Sequence, residues 1–191
     1  MDLRVRQHLV VFTAVAMLFL ASQSAMAENH KLLLDGIDTK KHALNEYVGH
    51  GQWVVVNVWA TACPYCRHEL FDLTNFHNAH HQKNAMVLGL TLDFPSFDYP
   101  DKAYLADFAA SHFIDYPLLM VNGEVASEVI GQAVDMVPLT FIYNPKGKLV
   151  RRINGMVTEQ MLEAVIKQKP SDYRIDWADV VPPEYLPEKA L

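Results

Sequence analysis

Trp53-Val54-Val55-Val56-Asn57-Val58-Trp59-Ala60-Thr61-Ala62-Cys63-Pro64-Tyr65-Cys66 holds the densest structural information in this chain. Its first seven positions are β-branched or aromatic with one polar interruption, the pattern of a strand buried on both faces of a sheet. Pro64 directly follows Cys63, and a proline fits the first position of a helix, where its missing N–H costs nothing. Leu70, Leu73, Phe76 and Phe71 continue the apolar positions at helical spacing and predict a helix from Pro64 to near Lys83. Met86 to Leu92 is a second apolar run. Strand, helix and strand in this order form a β-α-β unit, which makes the two strands parallel.

Further along the chain, Phe94 to Pro100 reads as a loop and Asp101 as the cap of a helix from Lys102 to His112. Tyr116–Val121 reads as a short strand and Glu124–Ile130 as a helix stopped by Gly131. Leu139–Tyr143 and Lys148–Ile153 flank Asn144-Pro145-Lys146-Gly147 and predict a hairpin. Thr158 is placed to cap a last helix running to Gln168. The tail, 170–191, contains Pro170, Pro182, Pro183 and Pro187 among acidic residues and reads as an extended segment. No internal repeat and no second domain are evident.

Before the strand, Arg4 and Arg6 precede an apolar run from Leu9 to Ala21, and Ala25-Met26-Ala27 follows. Basic, apolar and small-residue parts in this order make a secretory signal peptide with cleavage after Ala27. The run is shorter than the ~20 residues of a spanning helix, the alternative being an uncleaved anchor that would touch the membrane. The division is thus 1–27 signal peptide, 28–169 folded domain and 170–191 tail, and the expected location is periplasmic or otherwise exported. The whole chain has a formal net charge of −6 without a basic run, which argues against a nucleic-acid partner.

Only two cysteines occur, three positions apart. A loop that short constrains little of the unfolded chain, so stapling explains the pair poorly and chemistry explains it better. At a helix start, unpaired N–H groups and the partial positive charge of the dipole favour a thiolate at Cys63. Cys63 is therefore the candidate nucleophile and Cys66 the candidate resolving thiol, with Pro64 and Tyr65 tuning the potential. A zinc knuckle lacks its second ligand pair, and covalent haem attachment would need histidine where Arg67 stands.

The stretch Val56-Asn57-Val58-Trp59-Ala60-Thr61-Ala62-Cys63-Pro64-Tyr65-Cys66-Arg67-His68-Glu69 resembles the active-site segment of the TlpA/ResA-like branch of the thioredoxin superfamily. Val137-Pro138-Leu139-Thr140-Phe141, the Asn144–Val150 hairpin, and Gly155 with Thr158-Glu159-Gln160 resemble later segments of that branch, in the same order. The resemblance implies an α/β thioredoxin fold: a central mixed β-sheet flanked by helices, with an extra β-α insertion between the active-site helix and the cis-Pro strand. It implies a cis Pro138 facing the cysteines, a Val137 backbone that pairs with extended substrate, and substrate contacts from Trp59 and Tyr65. Ala62 departs from the branch, which has tryptophan there, and Phe71 stands where a proline is common. Asn57 stands where many thioredoxins carry a buried aspartate. Asparagine cannot act as a base, which leaves Glu69 or water to move the proton of Cys66.

The implied function is thiol–disulfide exchange on proteins outside the cytoplasm, with the chain as a reductant fed by a membrane thiol reductase. Cytochrome c maturation, in which haem-binding cysteines are kept reduced, is a typical task of the branch. No cofactor beyond the Cys63–Cys66 disulfide and no metal is expected. Three alternatives stay open: a disulfide oxidase or isomerase, a copper-binding delivery protein using the cysteines with histidines, and a non-catalytic thioredoxin-like binding module. His77, His80 and His81 share one helix face, which reads as a solvated face more readily than as a metal site, and His68 lies nearest the thiols.

Overall fold

The computed structural model describes residues 32–93 and 102–167. The signal segment, the Phe94–Pro100 loop, the Asp101 cap and the 170–191 tail lie outside the described residues.

Short strands β1 (Leu34–Gly36) and β2 (Lys41–His42) open the described chain, followed by a 3-10 turn at Leu44–Glu46. β3 (Trp53–Trp59) leads into α1 (Pro64–His80), and β4 (Ala85–Thr91) into α2 (Lys102–Ser111). β5 (Leu118–Met120), α3 (Gly123–Ile130), the hairpin β6 (Leu139–Tyr143) and β7 (Leu149–Asn154), and α4 (Glu159–Lys167) complete it. One sheet runs in the order β2-β1-β5-β4-β3-β6-β7. β3 and β4 pair in parallel, as do β4 and β5, while β6 runs antiparallel to β3. The sheet is mixed, and α2 and β5 are inserted between β4 and the α3-to-β6 segment, as the fold class requires.

Every residue of β3 is buried, because side chains alternate between two apolar layers. Trp53, Val55 and Trp59 join Leu70, Leu73 and Phe76 of α1, Leu105 and Ala109 of α2 and Leu162 and Val165 of α4. Val54, Val56 and Val58 join Leu44 and, from α3, Ala126, Val129 and Ile130 on the opposite face. Each fully buried valine contributes roughly 1.5–3 kcal/mol through removal from water. Asn57 sits on the α1 side, level with Gly89 of β4 and Thr140 of β6.

The helix ends follow their local chemistry. Asn122 caps α3 by accepting the Val125 N–H at 2.7 Å, and Gly131, at φ 72°, closes it in the left-handed region. Thr158 Oγ1 accepts the Met161 N–H at 3.3 Å at the start of α4.

Three expectations need correction. α1 ends at His80, three residues before Lys83, and a turn carries the chain into β4. Phe71 is not part of the apolar stripe: it is 73% exposed, on the face of α1 turned away from the sheet. His77 does not share a solvated face with its neighbours. It is buried, and its Nδ1 accepts the Val87 N–H at 3.1 Å, while burial holds its pKa below the usual histidine range.

Candidate redox site

β3 ends beneath the start of α1, and Ala60–Cys63 makes the turn between them, with the Cys63 N–H donating to the Ala60 carbonyl at 3.1 Å. Cys63 is the N-cap of α1 and Pro64 its first helical residue. Cys63 and Cys66 form a disulfide across one helical turn, with Cα atoms 5.3 Å apart. The Cys66 N–H donates to Cys63 Sγ at 3.1 Å, so an otherwise unpaired helix N–H points at that sulfur. Cys63 is half-buried and Cys66 fully buried, which leaves one sulfur within reach of another molecule.

The loop entering β6 lies opposite. The Val137–Pro138 peptide is cis, and the Val137 carbonyl oxygen is 4.0 Å from Cys63 Sγ. Val137 is half-buried and Pro138 buried. Ala62, Pro64, Tyr65 and Met136 are exposed around the sulfur and form an apolar rim. Trp59 does not belong to that rim. It is fully buried and its ring packs 5.7 Å from that of Phe108, so it supports the site from below and cannot touch substrate as the resemblance implied.

Beneath Cys66 runs a buried polar chain. Glu69, three residues on along α1, is 1% exposed. Its Oε1 accepts from Asn57 Nδ2 at 2.8 Å and its Oε2 from the Val157 N–H at 2.8 Å, while Asn57 Nδ2 also donates to Thr140 Oγ1 at 3.0 Å. Burial lifts the Glu69 carboxyl from 4.5 to about 8, against the opposing effect of the two hydrogen bonds and with Asp72 adding to the rise. Glu69 also borders a cleft of about 90 Å³ with His68, Asp72, Met156 and Met161. A carboxyl poised near neutrality three residues along the helix from a buried sulfur can exchange protons at working pH.

The other histidines disperse. His80 pairs with Glu163 of α4 and with Asn84 Oδ1 at 3.0 Å, His81 stacks on His77, and His68 is exposed. Among the described residues no group of three or more histidines, cysteines or acids converges to hold a metal ion. Sequence reasoning missed Asp93, which is 3% exposed and grips the Ala60–Cys63 turn through Thr61. The one available signal was an acid directly after a strand buried on both faces.

A thioredoxin-type sheet, a Cys-x-x-Cys disulfide opening a helix and a cis-proline loop facing it define a thiol–disulfide oxidoreductase. Residues 25–152 match the AhpC/TSA family, and the chain belongs to that family. It is similar to the thiol-disulfide oxidoreductase ResA of Bacillus subtilis (strain 168), with 23% identity over 130 residues that cover 68% of this chain and 67% of the relative. Among solved structures it is similar to a DsbF homologue from Corynebacterium diphtheriae, with a TM-score of 0.61 and 26% identity over 72% of this chain and 83% of that one. A secreted thiol-disulfide isomerase from Corynebacterium glutamicum shares the fold, with a TM-score of 0.61 and 20% identity over 70% of this chain and 80% of that one.

Proposed function

We infer that the protein reduces disulfides of protein substrates outside the cytoplasm, with Cys63 as nucleophile and Cys66 as resolving thiol. The observation that supports the exchange chemistry and the roles of the two sulfurs most is the asymmetry of the pair: a reachable sulfur at the helix start beside a sealed one. In the dithiol form, the Cys63 thiolate attacks a substrate disulfide and expels one substrate thiolate, leaving a mixed disulfide. Cys66, losing its proton to Glu69 or to water, then attacks the Cys63 sulfur and expels the second substrate thiolate. Two electrons pass to the substrate, two protons complete its thiols, and the chain is left as the disulfide.

Val137 offers backbone groups beside the sulfur for an extended substrate segment, and Tyr65 with Met136 offers apolar contact. Export is supported by the Arg4, Arg6, Leu9–Ala21 and Ala25-Met26-Ala27 pattern and by likeness to a relative described as secreted. No helix among the described residues is long and apolar enough to cross a membrane. A reductant in an oxidising compartment needs electrons from elsewhere, and a membrane thiol reductase is the partner of the right chemistry. Haem-binding or copper-binding cysteines are fitting substrates.

Equilibration with glutathione tests the direction. A potential far below −200 mV marks a reductant, and one near −120 mV would reverse the assignment. A Cys63→Ser variant should lose all exchange with a test disulfide, and retained exchange would remove Cys63 from the reaction.

A further inference from the structure

Asp93 lies two residues past the end of β4 and is almost wholly buried. The Thr61 N–H donates to both of its oxygens, at 3.0 Å to Oδ1 and 2.9 Å to Oδ2, and Thr61 Oγ1 donates to Oδ1 at 2.8 Å. Thr91 Oγ1 donates to Oδ2 at 2.5 Å and in turn accepts the Asp93 N–H at 3.3 Å. Every hydrogen bond to the carboxyl oxygens is donated to them, the pattern an ionised carboxylate accepts. No described residue forms an ion pair with it: the lysines, arginines and histidines that do pair meet Asp35, Asp38, Glu46, Asp135 and Glu163 instead.

A buried negative charge with no cation paired to it among the described residues therefore rests on the peptide two residues before Cys63. Thr61 lies within the one turn that joins β3 to α1, and that turn places Cys63 at its N-cap position. The start of α1 stabilises a thiolate at Cys63, and thiolate stabilisation favours the dithiol and makes a pair oxidising. A carboxylate on the adjoining turn acts with the opposite sign. The threonine hydroxyls hold it in place and solvate it without cancelling its charge.

We propose that Asp93 is a positioning residue that sets the redox poise of the Cys63–Cys66 pair, fixing the Ala60–Cys63 turn through Thr61 and opposing the helix field at Cys63 so that the pair stays reducing. This rests on the exchange reading above and gives it a structural reason for its direction. The ligand chemistry is internal: no cofactor and no metal enters.

The test measures two quantities on reduced protein, the Cys63 thiol pKa from thiolate ultraviolet absorbance and the equilibrium constant with glutathione. Asp93→Asn keeps the shape and an acceptor for Thr61 but removes the charge. It should lower the thiol pKa by about half a unit to one unit and shift the equilibrium about three- to tenfold toward the dithiol; tenfold corresponds to about 30 mV for a two-electron couple. Thr61→Val keeps the charge and removes one of its donors, and should move both readings the other way, with Thr61→Ser restoring them. A purely structural Asp93 would lower the melting temperature and leave both readings at the wild-type values, which would overturn the proposal. So would a Thr61→Val shift in the same direction as Asp93→Asn, since that is the mark of a loosened turn. Should Asp93→Asn fail to fold, Thr61→Val decides alone, and an unchanged thiol pKa there sinks the idea. Failure of the wild-type chain to exchange with glutathione would remove the exchange reading, while the thiol pKa would still report on Asp93.

Discussion

Glu69 and Val157, 88 positions apart in sequence, meet at 2.8 Å where the Val157 backbone N–H donates to the Glu69 carboxyl. The contact ties the second turn of α1, three residues on from Cys66, to the approach of α4. It also fixes an ionisable group where water cannot solvate it.

That burial gives stability a pH dependence with a definite sign. The Glu69 carboxyl titrates at about 8 in the folded chain against 4.5 as an ordinary carboxyl. The folded state therefore binds the proton more tightly than the unfolded state, and the stability from the neutral group is complete below about pH 4.5. It declines as pH rises toward 8 and levels off above that, by a few kcal/mol in total. Urea titrations across this range should show the decline in wild type and a flatter profile in Glu69→Gln. Equal slopes would place the titrating group elsewhere.

Gly89 faces the α1 side of the sheet where no side chain fits. A Cβ there would lie 2.4 Å from Leu118 Cδ2, 3.1 Å from Trp59 Nε1 and 3.2 Å from the Tyr116 ring. Gly89→Ala should cost about 1–3 kcal/mol as the neighbours move apart. Because Trp59 must shift, the indole emission of the folded protein should change as well. An unchanged denaturation midpoint would show that the interior yields there without strain.

Trapping separates the roles of the two thiols. Cys66→Ser should accumulate mixed disulfides through Cys63, visible as reductant-sensitive bands, and Cys63→Ser should accumulate none. Bands of equal strength in both variants would mean that the half-buried and the sealed sulfur react alike, contrary to their geometry.

Neighbouring apolar residues of α1 should behave differently. Leu73 is fully buried, and Leu73→Ala should lose about 2–5 kcal/mol. Phe71 is 73% exposed, and Phe71→Ser should stay within about 0.5 kcal/mol of wild type. Thermal or denaturant unfolding of the pair reads both, and a large loss in Phe71→Ser would mean that its face is covered.

The central strand, the helix start at Pro64 and the β6–β7 hairpin were legible in the sequence because each depends on local chemistry: a β-branched run, an N1 proline, an Asn-Pro-Lys-Gly turn. The cysteine pair was legible for the same reason. What escaped depends on partners far along the chain. Glu69 could be read as a solvated helix charge or as a buried acid, and only the facing Asn57 and the Val157 backbone decide. Phe71 matched the helical spacing roughly, yet it falls on the outer face once Leu70, Leu73 and Phe76 are turned inward. Trp59 carried the motif's character and so suggested contact with substrate, but strand alternation directs it into the core. Asp93 and Thr61 are 32 positions apart, joined only because β3 and β4 run parallel and end side by side.

The sealing of Cys66 under the first turn of α1 reaches beyond the choice of attacking sulfur. To a bulky alkylating reagent, the reduced chain should present itself as a monothiol, consuming one equivalent quickly and a second only after the helix start opens. The same enclosure means that small oxidants reaching Cys63 find a second thiol already waiting behind it. Oxidative damage would then close into a reversible bond instead of advancing to acids that no thiol can repair.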